Sequence, residues 1–135
     1  MKGVYILIIL IIRNTKIKVG ALGEIKFTKG VYAYVGSAQN NLEKRIKRHL
    51  TKNKKKFWHI DYLTANKFVK IVKVFYKLAR KSEECRTAEK LRKTEIPIKN
   101  FGCSDCNCES HLFKIRSKNI ADNGWKSWKL IELNH

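Results

Sequence analysis

Two tyrosines stand beside glycines on apolar stretches: Tyr5 in Gly3-Val4-Tyr5, and Tyr34 in Tyr34-Val35-Gly36. Further on, Arg45 and His49 are four positions apart, which puts them on one face of a helix. His59 opens the next helical stretch, and Glu84 falls in the first turn of a later one. Phenols, a guanidinium, imidazoles and a carboxylate can together pass protons, grip an anion and hold a hard cation. A second group is soft. Cys103-x-x-Cys106-x-Cys108-x-x-His111 offers three thiols and an imidazole, a donor set that suits a structural Zn²⁺. Reduced thiols packed under a loop, or a disulfide from Cys85 to a loop cysteine, are the other uses of these residues.

The first run, Val4 to Ile12, is rich in β-branched residues and reads as a buried central strand. It is too short to span a bilayer, which needs roughly 20 apolar residues. No small-residue cleavage site follows it, so a cytoplasmic chain with no membrane contact is expected. Strands are predicted over Lys16 to Gly20, Glu24 to Phe27 and Val31 to Val35, separated by turns at Ala21-Leu22-Gly23 and Thr28-Lys29-Gly30. Asn41 can cap a helix with Leu42, Ile46 and Leu50 on its apolar face. A second helix is predicted from Phe57 to Ala65 and a strand from Phe68 to Leu78. A third helix follows from Glu83 to about Lys93, capped by Ser82, and Pro97 blocks its continuation. A Cys-rich loop covers 101–111, and strands are expected over His111 to Ile115 and Trp125 to Leu133. The expectation is one domain over 1–135 of the α/β class, α+β in type, with a small, mostly antiparallel sheet flanked by helices.

Charge points to the partner. The 135 residues carry 30 Lys and Arg against 11 acids, a formal net charge of +19. Small soluble domains are usually content with a magnitude of about 2–8. Such self-repulsion fits a polyanionic partner. The basic residues crowd between Lys44 and Lys56, where eight Lys and Arg meet no acid. Lys44, Arg48, Lys52, Lys54, Lys55 and Lys56 are therefore the candidate phosphate-backbone contacts. The same stretch lacks a broad apolar face, which argues against a membrane surface.

The ordered series Tyr5, Tyr34-Val35-Gly36, Arg45, His49 and Glu84 resembles the GIY-YIG nuclease superfamily, whose name describes the two strand motifs. The chain is most similar to a branch of small stand-alone proteins, through Tyr32-Ala33-Tyr34-Val35-Gly36-Ser37-Ala38, Trp58-His59-Ile60-Asp61-Tyr62-Leu63, Phe101-Gly102-Cys103-Ser104-Asp105-Cys106 and Ser110-His111-Leu112-Phe113. In one respect it departs from the usual pattern. Tyr5 and Tyr34 lie 29 positions apart, so the connection between the motifs carries an extra hairpin.

The resemblance implies metal-dependent hydrolysis of DNA phosphodiesters, in repair or in structure-specific processing. It implies Glu84 as ligand to Mg²⁺ or Mn²⁺, since one carboxylate plus waters suits such an ion. Arg45 would donate its planar fork to the phosphate oxygens, with Arg48 as the competitor for that role. Tyr5 would take or relay the proton of the attacking water, Tyr34 would orient water or phosphate, and His49 and His59 would position or transfer protons. Gly36 would let the backbone approach the substrate. Asp105, Ser110 or His111 is expected to supply the late polar residue of the site. The alternatives are a non-catalytic nucleic-acid-binding module that keeps the fold, and an RNA-binding or RNA-processing protein.

Overall fold

The computed structural model describes residues 1–103, 106–117 and 119–128. Its centre is β1 (Gly3–Ile11), apolar on both faces because both faces of the sheet are covered. β1 pairs antiparallel with β4 (Gly30–Ala38) on one side and with β5 (Val69–Lys77) on the other. β7 (Leu112–Lys114) extends the sheet beyond β4, and the two-residue β6 (Ile96–Pro97) forms that edge. β8 (Lys126–Ser127) closes the other edge. All pairings are antiparallel, in the order β6-β7-β4-β1-β5-β8. The additional hairpin is real: β2 (Thr15–Lys18) and β3 (Glu24–Phe27) form a separate two-stranded sheet. The domain is thus α+β, as the patterning implied.

Side chains alternate across the pleat and divide the core in two. On one face, Tyr5, Leu7, Ile9, Tyr32 and Tyr34 pack against Leu42 and Ile46 of α1 (Leu42–Leu50) and Ile60 and Leu63 of α2 (His59–Thr64). The hairpin adds Ile17 and Phe27 to this cluster. On the other face, Val4, Ile6, Ala33 and Val35 pack against Ala88 and Leu91 of α3 (Ser82–Arg92).

Local rules place most boundaries. Asn41 caps α1 as expected, its Oδ1 accepting the Lys44 amide at 2.9 Å. α2 is shorter than Phe57 to Ala65. Asp61 accepts the amides of Phe57 (2.8 Å) and Trp58 (2.9 Å), which holds both residues outside the helix. Ser82 does not cap α3. The chain already turns at Arg80, whose carbonyl accepts the Glu83 amide at 3.0 Å, so Lys81 is the cap residue and Ser82 the first helical one. Pro97 does more than stop a helix, because it sits in edge strand β6, where an imide nitrogen costs no ladder bond. The strand expected to Leu133 is seen only as β8, and 129–135 lie outside the described residues.

Candidate active site

A groove of about 1070 Å³ opens where β1 and β4 meet α1, α2 and α3. It is lined by Tyr5, Tyr34, Arg45, His49, His59 and Glu84, so all six residues expected to do chemistry converge there.

Tyr5 and Tyr34 come from adjacent strands. Tyr5 lies opposite Gly36 and Tyr34 opposite Leu7, which puts both rings on the α1 face. The inserted hairpin leaves this pairing intact. The Tyr5 hydroxyl meets His49 Nε2 at 2.6 Å, fully buried. Burial and the charge of Lys54 pull the His49 pKa down to about 3, so the ring is neutral. Its Nδ1 has no partner among the described residues. A buried N–H left unpaired costs about 1–3 kcal/mol. The cheaper tautomer leaves Nδ1 as a bare lone pair and lets Nε2–H donate to the Tyr5 oxygen. The Tyr5 O–H is then directed away from His49. Burial pushes the Tyr5 pKa well up, while the Arg45 guanidinium pulls it partly back. Tyr5 therefore remains a phenol at neutral pH. The Tyr34 ring packs edge-on to His49 (6.2 Å) and Phe101 (6.3 Å), and burial raises its phenol too.

Gly36 also lines the groove, and it has a packing role that its sequence did not suggest. A Cβ at this position would sit 2.5 Å from the Tyr5 hydroxyl and 2.6 Å from Cζ. The missing side chain makes room for the Tyr5 ring. Gly36→Ala is expected to destabilise the fold by about 1–3 kcal/mol through overpacking and to displace Tyr5 from His49. Thermal melting together with a cleavage assay checks this, and a variant that melts and acts like wild type refutes it.

Arg45 and Arg48 share helix α1 but have different surroundings. Arg48 forms a fork with Asp61, at 2.8 and 2.7 Å, and also donates to the Lys55 carbonyl. Asp61 is wholly buried. Burial pushes its pKa up, but Arg48 and the two amides outweigh this and hold it below the usual carboxylate range. Removing one partner of such a pair costs about 3–5 kcal/mol, so Arg48 is an anchor for the α1–α2 junction. Arg45 keeps its guanidinium on the groove, donating to the Ser37 carbonyl at 2.9 Å and lying 4.4 Å from the Trp58 ring centre. The basic stretch divides the same way. Lys52 Nζ donates to the carbonyls of Thr64, Asn66 and Val69. Lys54 Nζ donates to Arg48 and His49 carbonyls and to the Thr64 hydroxyl, and burial lowers its pKa to about 8. Both brace the loop after α1. Lys44, Lys55 and Lys56 have no hydrogen bond or ion pair to a described residue through their ammonium groups, although Lys55 and Lys56 lie 5.7 and 5.9 Å from the Phe57 and Tyr62 ring centres.

His59 Nδ1 accepts the Gly102 amide at 2.9 Å. Burial lowers its pKa, so a neutral ring carries its proton on Nε2 and offers that donor. Gly102 holds a positive φ of 74°, and its amide fixes the ring's tautomer.

Glu84 arrives from α3, on the far side of the sheet, and is the only acid among the described residues that lines the groove. One carboxylate oxygen accepts the Ser37 hydroxyl, and the other accepts His111 Nδ1 at 2.9 Å. Burial pushes its pKa up, but the hydrogen bonds from His111 and Ser37 prevail and keep it charged. A carboxylate has about four lone-pair sites, so two remain. A single held carboxylate with open coordination fits a hydrated Mg²⁺ or Mn²⁺. Of the late polar candidates, His111 reaches Glu84. Ser110 turns inward to the Leu112 carbonyl, and Asp105 lies outside the described residues.

The soft-ligand set changes by one member. Cys106, Cys108 and His111 gather with Cys85 of α3, their donor atoms all within 4.8 Å of one another. This cluster could hold a metal ion. Cys103 is outside it, its thiol bonding instead to the Phe101 carbonyl at 3.4 Å. Sequence proximity favours Cys103, but the helix delivers the fourth ligand, Cys85, from 21 positions before Cys106. Asp61, Ser37 and Trp58 were also missed as site-builders. Only Trp58-His59-Ile60-Asp61 hinted at them, by placing an acid just inside a helix start.

Among the described residues, no helix is long and apolar enough to cross a membrane. A family model described as a domain of unknown function, DUF123, matches residues 4–129. No curated protein and no solved structure matches the chain.

Proposed function

The chain belongs to the DUF123 family, and we propose that this member is a cytoplasmic, metal-dependent endonuclease that hydrolyses DNA phosphodiester bonds. The observation that carries the reading is the meeting of Tyr5, Tyr34, Arg45, His49, His59 and Glu84, from five separate elements, in one groove flanked by Lys44, Lys47 and Arg45. The ordered resemblance to GIY-YIG nucleases supports the same reading.

A phosphodiester repels hydroxide and develops charge as it is attacked, so donors aimed at that charge lower the barrier. Arg45 supplies a planar fork beside the groove, held in place by Trp58 and the Ser37 carbonyl. Tyr5 stays protonated and so acts as a relay: its oxygen takes a proton from the attacking water as its own O–H proton passes to a water of the groove, with His49 Nε2–H fixing that oxygen. His59 presents Nε2–H to a phosphate oxygen or leaving group. Glu84 would hold Mg²⁺ or Mn²⁺, and the bound ion would supply Lewis-acid polarisation and water activation. Lys44, Lys55 and Lys56 would track the phosphate backbone.

The test is nicking of supercoiled, linear and branched DNA with Mg²⁺, Mn²⁺ or EDTA. Metal-dependent nicking is expected, and its absence on every substrate refutes the reading. Arg45→Ala separates enzyme from binding module. It should lower turnover about 10²–10³-fold, the usual loss of one transition-state donor, while denting affinity only slightly. A second reading has an observation of its own. Phe57 is 68% exposed and neighbours Trp58 at the groove, an aromatic rim on which an unpaired base could stack. Competition between duplex DNA and structured RNA at fixed salt decides between the two substrates.

A further inference from the structure

We propose that Cys85, Cys106, Cys108 and His111 bind a structural zinc ion, and that this site, through the other nitrogen of His111, braces the carboxylate of Glu84. A tetrahedral Cys₃His zinc with ordinary bond lengths requires N···S separations of about 3.6 Å and S···S separations of about 3.8 Å. His111 Nε2 lies 3.4 Å from Cys106 Sγ and 3.9 Å from Cys85 Sγ, and all four donors fall within 4.8 Å of one another. The four donors already have nearly the spacing that the ion demands. They come from α3 and from the loop before β7, so the ion would tie the helix to that loop.

His111 is the link. With Nε2 on zinc, its proton must sit on Nδ1, which faces Glu84 Oε2 at 2.9 Å and the Val35 carbonyl at 3.3 Å. A zinc-bound histidine that donates its second nitrogen to a carboxylate is a common way to fix ring orientation. Glu84 is thereby held from one side by His111 and from the other by the Ser37 hydroxyl, leaving the carboxylate aimed into the groove. Binding converts three thiols to thiolates and releases three protons to solvent, while His111 stays neutral. The resulting site carries a net charge of −1, which a chain of charge +19 accommodates readily.

Metal content is the first readout, and it is independent of any cleavage. Protein purified under reducing conditions without chelator should contain one zinc per chain. Cobalt added to the reduced apoprotein should give thiolate-to-cobalt charge-transfer absorption with tetrahedral d–d bands. Cys103→Ser should keep the metal and Cys85→Ser should lose it. If Cys85→Ser fails to fold, the cobalt spectrum of the wild type still decides the first half. Glu84→Gln should weaken zinc binding about 10–100-fold in chelator competition, the usual effect of removing an outer-shell partner. A wild-type protein without zinc and without a cobalt–thiolate spectrum overturns the proposal. Loss of metal from Cys103→Ser with retention in Cys85→Ser overturns the ligand set. Unchanged zinc affinity in Glu84→Gln overturns the link to the groove.

Discussion

Glu84→Gln is expected to reduce metal-dependent DNA nicking on the order of 10³-fold while leaving DNA affinity little changed. The substitution keeps the side chain's shape and removes its charge. Glu84 is the only acid among the described residues that lines the groove, so the divalent ion loses the carboxylate anchor found there. The hydrogen bonds from Ser37 and His111 keep the carboxylate ionised at neutral pH, so the wild type presents a full negative charge to the ion. Several kcal/mol of transition-state stabilisation come from a well-placed metal, and each 1.36 kcal/mol is about tenfold in rate. Lys44, Lys55 and Lys56 are untouched by the change, so the salt-sensitive part of binding should persist. Initial nicking rates over a Mn²⁺ titration, with affinity measured in parallel, make the check. Wild-type nicking by the variant at low metal would remove Glu84 from the site. Zinc at structural affinity survives a 10–100-fold weakening, so the zinc site and the nuclease reading can fail separately.

Tyr5→Phe is expected to cost about 10²–10⁴-fold in cleavage rate, the range for loss of a positioned proton-transfer group. The ring and its packing over Gly36 are retained, so only the hydroxyl is lost. Among the described residues, that hydroxyl is the only hydrogen-bond partner of the His49 ring, whose other nitrogen has none. The variant should therefore also melt at a lower temperature, by the equivalent of about 1–3 kcal/mol for a buried polar group left unsatisfied. The wild-type pH profile is a second readout. Burial holds the Tyr5 phenol well above its ordinary pKa, so its titration should not appear at neutral or mildly alkaline pH. A standing phenolate base would give a rate that climbs with pH through that range. A Tyr5→Phe rate within tenfold of wild type removes the relay and leaves Tyr5 as core.

Much of the scaffold was legible because its signals are local. The β-branched run became β1, Asn41 capped α1, and Leu42 and Ile46 turned inward at helical spacing. Periods of two and 3.6 need only neighbouring residues to be read. The same local rules put Arg45 and His49 on one helix face, so candidates could be listed in advance, whereas the shared face of Tyr5 and Tyr34 came only from the register between β1 and β4. The +19 charge and the basic stretch from Lys44 to Lys56 likewise pointed to an anionic partner without a coordinate.

Other features depended on which distant groups come into contact. Arg45 and Arg48 are three positions apart on α1, and nothing in their neighbourhood tells them apart. Asp61, buried under α1, captures Arg48 and leaves Arg45 on the groove. Lys52 and Lys54 looked like phosphate contacts; the end of α2 and the start of β5 bring the Thr64, Asn66 and Val69 carbonyls to Lys52, and the end of α1 with the Thr64 hydroxyl holds Lys54. That the missing Cβ of Gly36 makes room for the Tyr5 ring depended on the paired strand. Cys85 replaced Cys103 because the packing of α3 on the sheet sets thiol positions, whereas sequence spacing measures only separation along the chain. Composition and periodicity determined the elements and the inventory of reactive groups. Partner choice was left to tertiary structure, because a hydrogen bond or an ion pair forms over a few ångströms, and only the packed fold decides which groups come that close.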